Sequence, residues 1–426
     1  MTTKWVKIAH ISDSHIGYEA YKKLSTKGTN QREEDVARAF ARCVDQILDE
    51  DPPLVVHSGD IADRPGLQIR QILFIKQQLT KLCSLRKDGS RRQVVVISGN
   101  HDQPSNRKEA CFLELFREIP GLHIVTNKYE VIEFNDIYHN ASEELRDVVV
   151  HALPHDILKS VDFAEVNPLL NKINILTSHG VAGGSELYVK SLGREFAVPT
   201  EVLAKDWEYV ALGHWHKQGP VSIMGSNVVG NTRKSKVWYA GSTENMGFGD
   251  LLDGGENRGW LSVKVALGDF PKIEKKNIEI RKIIRLQEVN ADGCLVNDIF
   301  EKIKSNLNSV ELNGAVVGQV IREISRENWA LLGISLLKEI GKDALYFEIT
   351  PKFKAVKAMS TNFSGRSTME DLLKKAAEVE ISEEDRAESV KFALELITDA
   401  RRKSLSRDAN KDSINDNLNS ETYEVV

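Results

Sequence analysis

The chain has 426 residues, of which 41% are hydrophobic and 28% charged, and a formal net charge of −5. That length exceeds one ordinary domain, and the composition excludes the disordered and membrane-embedded classes. The negative balance means that a role on nucleic acid must rest on local basic patches rather than on overall charge.

In chain order, the apolar segment from Trp5 to Ile11 is soon interrupted by Asp13 and His15, too early for a signal peptide or a membrane span. A cytoplasmic protein without a membrane partner is expected. The cysteines, Cys43, Cys83, Cys111 and Cys294, lack C-x-x-C spacing, which fits buried small hydrophobes in a reducing compartment rather than a zinc site or disulfide framework.

Up to about Val265, short runs rich in Val and Ile alternate with longer amphipathic stretches. The runs are Val6–Ile11, Leu54–Ser58, Val94–Ser98, Val148–Ala152, Ile173–Ser178, Tyr209–Leu212 and Val237–Ala240. They read as buried strands feeding loops. Between the first two, Val36, Phe40, Val44 and Ile47 recur at helical spacing and predict a helix over Glu34–Leu48, with another over Leu67–Leu82. This alternation predicts an α/β core with its polar residues at strand ends.

After Asp269 the pattern becomes mixed, with helices expected at Asp298–Leu307 and Trp329–Ile340, the look of a small α+β domain. From Ser367 two charged helical segments follow, Met369–Val379 and Glu383–Arg402, the second capped by Ser382. The polar stretch from Leu405 is expected to be disordered. The divisions are therefore drawn at 1–268, 269–355, 356–404 and 405–426.

Five short motifs carry the chemistry: Asp13-Ser14-His15, Gly59-Asp60-Ile61-Ala62-Asp63, Gly99-Asn100-His101-Asp102, Ser178-His179-Gly180 and Gly213-His214-Trp215-His216. Four of them directly follow an expected strand. They supply carboxylate, imidazole and amide donors, a set suited to hard or borderline divalent metals. Asp13, His15, Asp60, Asn100, His179, His214 and His216 are too many ligands for one ion but suit two that share a carboxylate. Two ions roughly 3.5–4 Å apart hold a phosphate between them and activate a bridging hydroxide for in-line attack.

D-x-H, G-D-x-x-D, G-N-H-D, a lone His and G-H-x-H, in this order, form a set that resembles the signature of calcineurin-like metallophosphoesterases. The resemblance implies a four-layer α-β-β-α sandwich core. It also implies that Asp13, His15, Asp60 and His216 hold one metal and Asp60, Asn100, His179 and His214 the other. His101 would then act on the leaving oxygen, with Asp102 orienting its ring.

Between the motifs, Asn30-Gln31-Arg32-Glu33-Glu34-Asp35, Val56-His57-Ser58-Gly59-Asp60, Asp63-Arg64 and Tyr239-Ala240-Gly241-Ser242-Thr243-Glu244 are similar to the SbcD branch of that family and its double-strand-break-repair relatives. That likeness implies manganese, DNA as substrate, exonuclease action on ends and endonuclease action on single strands or hairpins. It further implies a homodimer, association with the nucleoid, a small capping domain, and a helical segment docking on an SbcC-like ATPase of the SMC family. The alternative is a phosphoesterase acting on cyclic nucleotides, nucleotides or phosphoproteins. Asp63 stands where some members carry a His that handles duplex ends, and Ala62 where a bulky residue is common, so neither role is carried over.

Arg64, Arg233 and Lys234 are candidate DNA contacts, the latter two on a basic loop over 217–236 that could equally be an ordinary solvated loop. His10 and His57, inside expected strands, are read as satisfying buried backbone groups. His123, His139, His151 and His155 have no motif partner and are assigned surface or core roles.

Overall fold

The computed structural model describes residues 4–104, 106, 109–135, 140–190, 195–221, 235–252 and 257–354. The expected segments 356–404 and 405–426, and Arg233, Lys234 and His139, lie outside the described residues.

Two six-stranded mixed sheets form the larger part. In the first, Val6–Ile11, Leu54–His57, Gln93–Ile97 and Leu122–Val125 run parallel, and Arg258–Val265 and Lys272–Ile278 add antiparallel strands beyond Val6–Ile11. In the second, Val148–Leu153, Ile173–His179, Tyr209–Gly213 and Val237–Tyr239 are parallel, with Glu130–Glu133 and Gly219–Pro220 antiparallel at the edges. The sequence places every one of the seven expected strands within about a residue of its end. The first sheet, however, continues past residue 268 to Ile278.

Both faces of each sheet are covered, which is why the strands read as unbroken Val/Ile runs. Ile8, Val56, Val95 and Val263 of one sheet pack against Val148, Val150, Ile175 and Tyr209 of the other. On the far side of the first sheet lie the helices Gln31–Glu50 and Ile69–Leu82, through Val36, Phe40, Val44, Ile75 and Leu79. Short helical turns such as Thr200–Leu203 cover the second sheet, around the buried Trp207. The result is the expected four-layer α-β-β-α sandwich.

The first helix begins three residues before the expected Glu34, because the Asn30 side chain accepts from the Arg32 and Glu33 amides and caps it earlier. A smaller all-parallel sheet follows, in which Val316–Ile324 pairs with Ile283–Arg285, Val289–Asn290 and Tyr346–Phe353. The helix Val296–Asn308 packs on it through Ile299, Ile303 and Leu307. The single helix expected at Trp329–Ile340 is two, Arg326–Leu331 and Ile334–Ile340. Gly333, in the left-handed region at φ 65°, interrupts it. Among the described residues no helix is long and apolar enough to cross a membrane.

Asp35 joins the first helix to the small sheet. Its carboxylate accepts from Arg32 Nη1 at 3.0 Å and from Arg281 Nε at 2.8 Å, while Arg281 Nη1 donates to the Gly314 carbonyl at 2.8 Å. Burial opposes the charge of Asp35, but Arg281 outweighs it and holds the carboxyl below its ordinary range. Asp35→Asn is therefore expected to cost about 2 kcal/mol at neutral pH. The lowered pKa gives a contribution that is complete above about pH 4 and fades as pH falls through the folded-state value. Urea melts should show the gap between the two proteins shrinking at acid pH; a constant gap would refute the ion-pair account.

Candidate metal centre

The first sheet delivers Asp13, Asp60 and Asn100 just beyond its parallel strands, and the second delivers His179, His214 and His216 at the corresponding ends of its own. The strand ends must approach closely for these side chains to meet. A Cβ on Gly99 would lie 2.1 Å from Asp60 Oδ1, and one on Gly213 would lie 2.0 Å from the Ser58 carbonyl oxygen. Only glycine fits at either position. The backbone also bends sharply at the ligands themselves: Asp13, His15, Asp60 and His214 adopt φ of 49°, 45°, 53° and 97°. Such conformations are costly for residues with a Cβ and gather where a site over-determines them.

The side chains fall into two groups that meet at Asp60. In one, His15 Nε2 stands 3.1 Å from His216 Nε2, 3.9 Å from Asp13 Oδ1 and 3.9 Å from Asp60 Oδ2. In the other, His179 Nε2 stands 3.2 Å from Asp60 Oδ2 and 3.0 Å from Asn100 Oδ1, which is also 3.1 Å from His214 Nδ1. All seven residues expected as ligands are thus gathered in one cradle.

The donor set fits cations. His179 Nδ1 donates to the Ser58 carbonyl at 2.7 Å, so Nε2 is the nitrogen turned inward to Asp60 and Asn100. His15 and His216 turn their Nε2 atoms to each other at 3.1 Å. Asp13 and Asp60 are buried, and their ligand oxygens lie within 4.8 Å of a nitrogen of His179 and of one another. Oxygens and imidazole lone pairs converging without thiolates are what a pair of hard or borderline divalent ions requires.

The electrostatics follow from this crowding. Burial pushes Asp13 up, and it pushes His15 and His214 down to about 3. Burial also works against the charges of Asp60 and His179, but each stabilises the other, so Asp60 is lowered and His179 held up to about 9. Burial and the neighbouring Asp60 raise Asp102 to about 7.

His101 sits at the open side of the cradle, its ring edge-on to His15 with centroids 4.9 Å apart. Its orienting partner is not Asp102. His101 Nδ1 donates to the Asp63 carbonyl at 2.7 Å, whereas Asp102 accepts from the amides of Gly99 at 2.8 Å and Ala62 at 2.9 Å. Asp102 thereby stitches the loop of Asp60 to the loop of Asn100, a structural task where orientation of the His101 ring was expected. Arg64 is exposed, 3.5 Å from Glu19.

His10 and His57 stay in the core as expected, where they also meet side-chain hydroxyls: Tyr209 and Ser58 for His10, Ser14 for His57. Three residues near the ligands escaped the sequence reading. His155 donates through Nδ1 to the His179 carbonyl at 3.0 Å and stacks on Phe196, Glu195 lies 3.5 Å from His214 Nε2, and Asp250 lies 3.2 Å from His216 Nδ1. For His155 the available signal was its place just after a buried strand, like the motif residues. The other two had none.

Residues 6–218 match the model of the calcineurin-like phosphoesterase family. They make up half of the chain, which belongs to that family and is a metal-dependent hydrolase. It is similar to the DNA double-strand break repair protein Mre11 of Methanococcus maripaludis, 25% identical over 343 residues that cover 79% of this chain and 84% of that one. The corresponding protein of Sulfolobus acidocaldarius is 24% identical over 73% of this chain and 76% of its own length. The SbcD component of the SbcCD nuclease of Bacillus subtilis is 24% identical over 62% of this chain and 70% of its own.

Gly99→Ala should push the Asp60 carboxylate aside and strip metal from the protein while leaving the secondary structure intact. Metal content by emission spectrometry, read beside circular dichroism, checks this. Normal metal content in the folded variant would show that the close approach is dispensable.

Proposed function

We propose that the chain is a two-metal DNA nuclease of double-strand-break repair, acting as an exonuclease on ends and an endonuclease on single strands or hairpins. The observation that carries this reading is the pair of ligand groups sharing Asp60, in a chain whose likeness to Mre11 and SbcD proteins runs well beyond the motifs. In this reading Asp13, His15, Asp60 and His216 hold one ion and Asp60, Asn100, His179 and His214 the other, with manganese as the metal. Two divalent cations so held supply Lewis-acid charge to a phosphodiester and lower the pKa of an attacking water.

The chain's own groups do the rest. The two carboxylates and the Asn100 amide oxygen fix where the cations and hence the phosphate sit. The Asp63 carbonyl keeps the His101 proton on Nδ1, so Nε2 is the atom that gains and gives the second proton. From the open side of the cradle His101 hands that proton to the departing oxygen. Arg64, on the rim, and Arg233 and Lys234 on the basic loop contact the DNA backbone. A homodimer working with an SbcC-like ATPase completes the assembly, with a capping role for 269–355 and partner docking through 356–404.

The test is incubation of the purified protein with manganese and end-labelled DNA, alone and with its co-expressed ATPase. Cleavage is expected; intact DNA in both, with rapid turnover of a cyclic nucleotide instead, would assign a different phosphoesterase to the same core. Asp60→Ala should lose both ions and all hydrolysis. His101→Gln should keep metal and DNA binding while cleavage slows by about 10²–10⁴-fold. Equal metal loss in the two variants would show their roles to be wrongly divided.

A further inference from the structure

We infer that Asp250 is a positioning residue of the metal centre, fixing the tautomer and ring orientation of His216. The inference rests on the two-metal reading above. His216 Nδ1 lies 3.2 Å from Asp250 Oδ1 and 3.3 Å from Oδ2. A carboxylate can only accept, so the imidazole proton is drawn to Nδ1 and the lone pair is left on Nε2. That Nε2 is the atom 3.1 Å from His15 Nε2, inside the cradle. The negative charge behind the ring also raises the basicity of the inward nitrogen, as outer carboxylates do for metal-bound imidazoles.

Asp250 is itself held in place. The Met246 amide donates to its Oδ2 at 2.8 Å. The buried Arg258 guanidinium stands 3.7 Å from the same oxygen, donates to the Asp250 carbonyl at 3.3 Å and donates also to the His216 carbonyl. One cation thus tethers both members of the pair. The short helix Phe248–Leu252 that carries Asp250 is wedged against the small sheet, where a Cβ on Gly318 would lie 2.8 Å from the Phe248 ring. Asp250 therefore acts on one of the two ion sites, the one formed by Asp13, His15 and His216 with Asp60. In Asp250→Asn the amide either turns its NH2 to His216, favouring the Nε2–H tautomer that cannot ligate, or presents a weaker neutral acceptor.

Two measurements decide this. In the wild-type full chain labelled with ¹⁵N-histidine, long-range ¹⁵N–¹H correlations assigned with His216→Gln should show His216 protonated at Nδ1; an Nε2–H form overturns the inference, whatever any variant does. Manganese titration calorimetry on Asp250→Asn should then show one site weakened about 10–100-fold with the other within about twofold of wild type. In a His216→Ala background, Asp250→Asn should add no further loss. Two normal sites in Asp250→Asn, or the same loss with and without His216, would remove the positioning role while leaving the metal centre standing. A wild-type protein that takes up no manganese would instead bring down the two-metal reading itself. Should Asp250→Asn fail to fold, the wild-type tautomer alone settles the matter.

Discussion

Two carboxylates, Asp13 and Asp60, lie buried beside four imidazoles at the ends of two sheets, and that concentration of charge and lone pairs sets the terms for everything around it. A carboxylate taken out of water costs several kcal/mol unless hydrogen bonds or cations compensate. Here the protein supplies that compensation from several sides: Ser12 Oγ donates to Asp13 at 2.5 Å, the His214 amide donates to both Asp13 oxygens at 3.1 Å, the His101 amide donates to Asp60 at 2.8 Å, and His179 Nε2 stands 3.2 Å from Asp60. Cations held there would add to that compensation, and the left-handed backbone at Asp13, His15, Asp60 and His214 is conformational cost that the surrounding structure over-determines.

Because the first sheet supplies Asp13, His15, Asp60 and Asn100 and the second supplies His179, His214 and His216, the cradle exists only when the two sheets are packed face to face. The core of Ile8, Val56, Val95, Val150, Ile175 and Tyr209 beneath it is therefore part of the site in an energetic sense. A loss of packing there moves one half of the ligand set against the other. The hydroxyl contacts of His10 with Tyr209 and of Ser58 with Thr177 cross the same inter-sheet boundary, so even the polar residues of the core serve that alignment.

Much of this was legible in the sequence, for a physical reason. Parallel strands covered on both faces need continuous Val/Ile runs, and such strands announce both themselves and the loops at their ends, where the motifs stand. Arg258–Val265 escaped notice because it mixes Arg, Gly, Ser and Lys with apolar residues. The break at Gly333 hides inside otherwise helical periodicity. The error over Asp102 came from treating adjacency in sequence as adjacency in space: its neighbour's ring turns to a backbone carbonyl, and a carbonyl has no sequence signature. Asp250 is a lone acid 34 residues beyond His216, invisible until the chain folds back.

The cradle's chemistry acts on a phosphate and is indifferent to what the phosphate esterifies, so selectivity must reside in what shapes its approaches. Here the small sheet has a structural claim. Its contacts with the ligand-bearing part of the molecule include Arg281 on Asp35 and on Glu244, Gly318 on Phe248, and Tyr346 stacked on Tyr21 with ring centroids 4.3 Å apart. Tyr21 lies in the loop that follows His15, and Phe248 lies two residues before Asp250. The small sheet is thus fastened to the segments that carry or support the metal ligands, and a substrate that displaced it would disturb the cradle as well. The cradle and the small sheet share one mechanical frame, and that frame is set by side chains lying outside the five motifs.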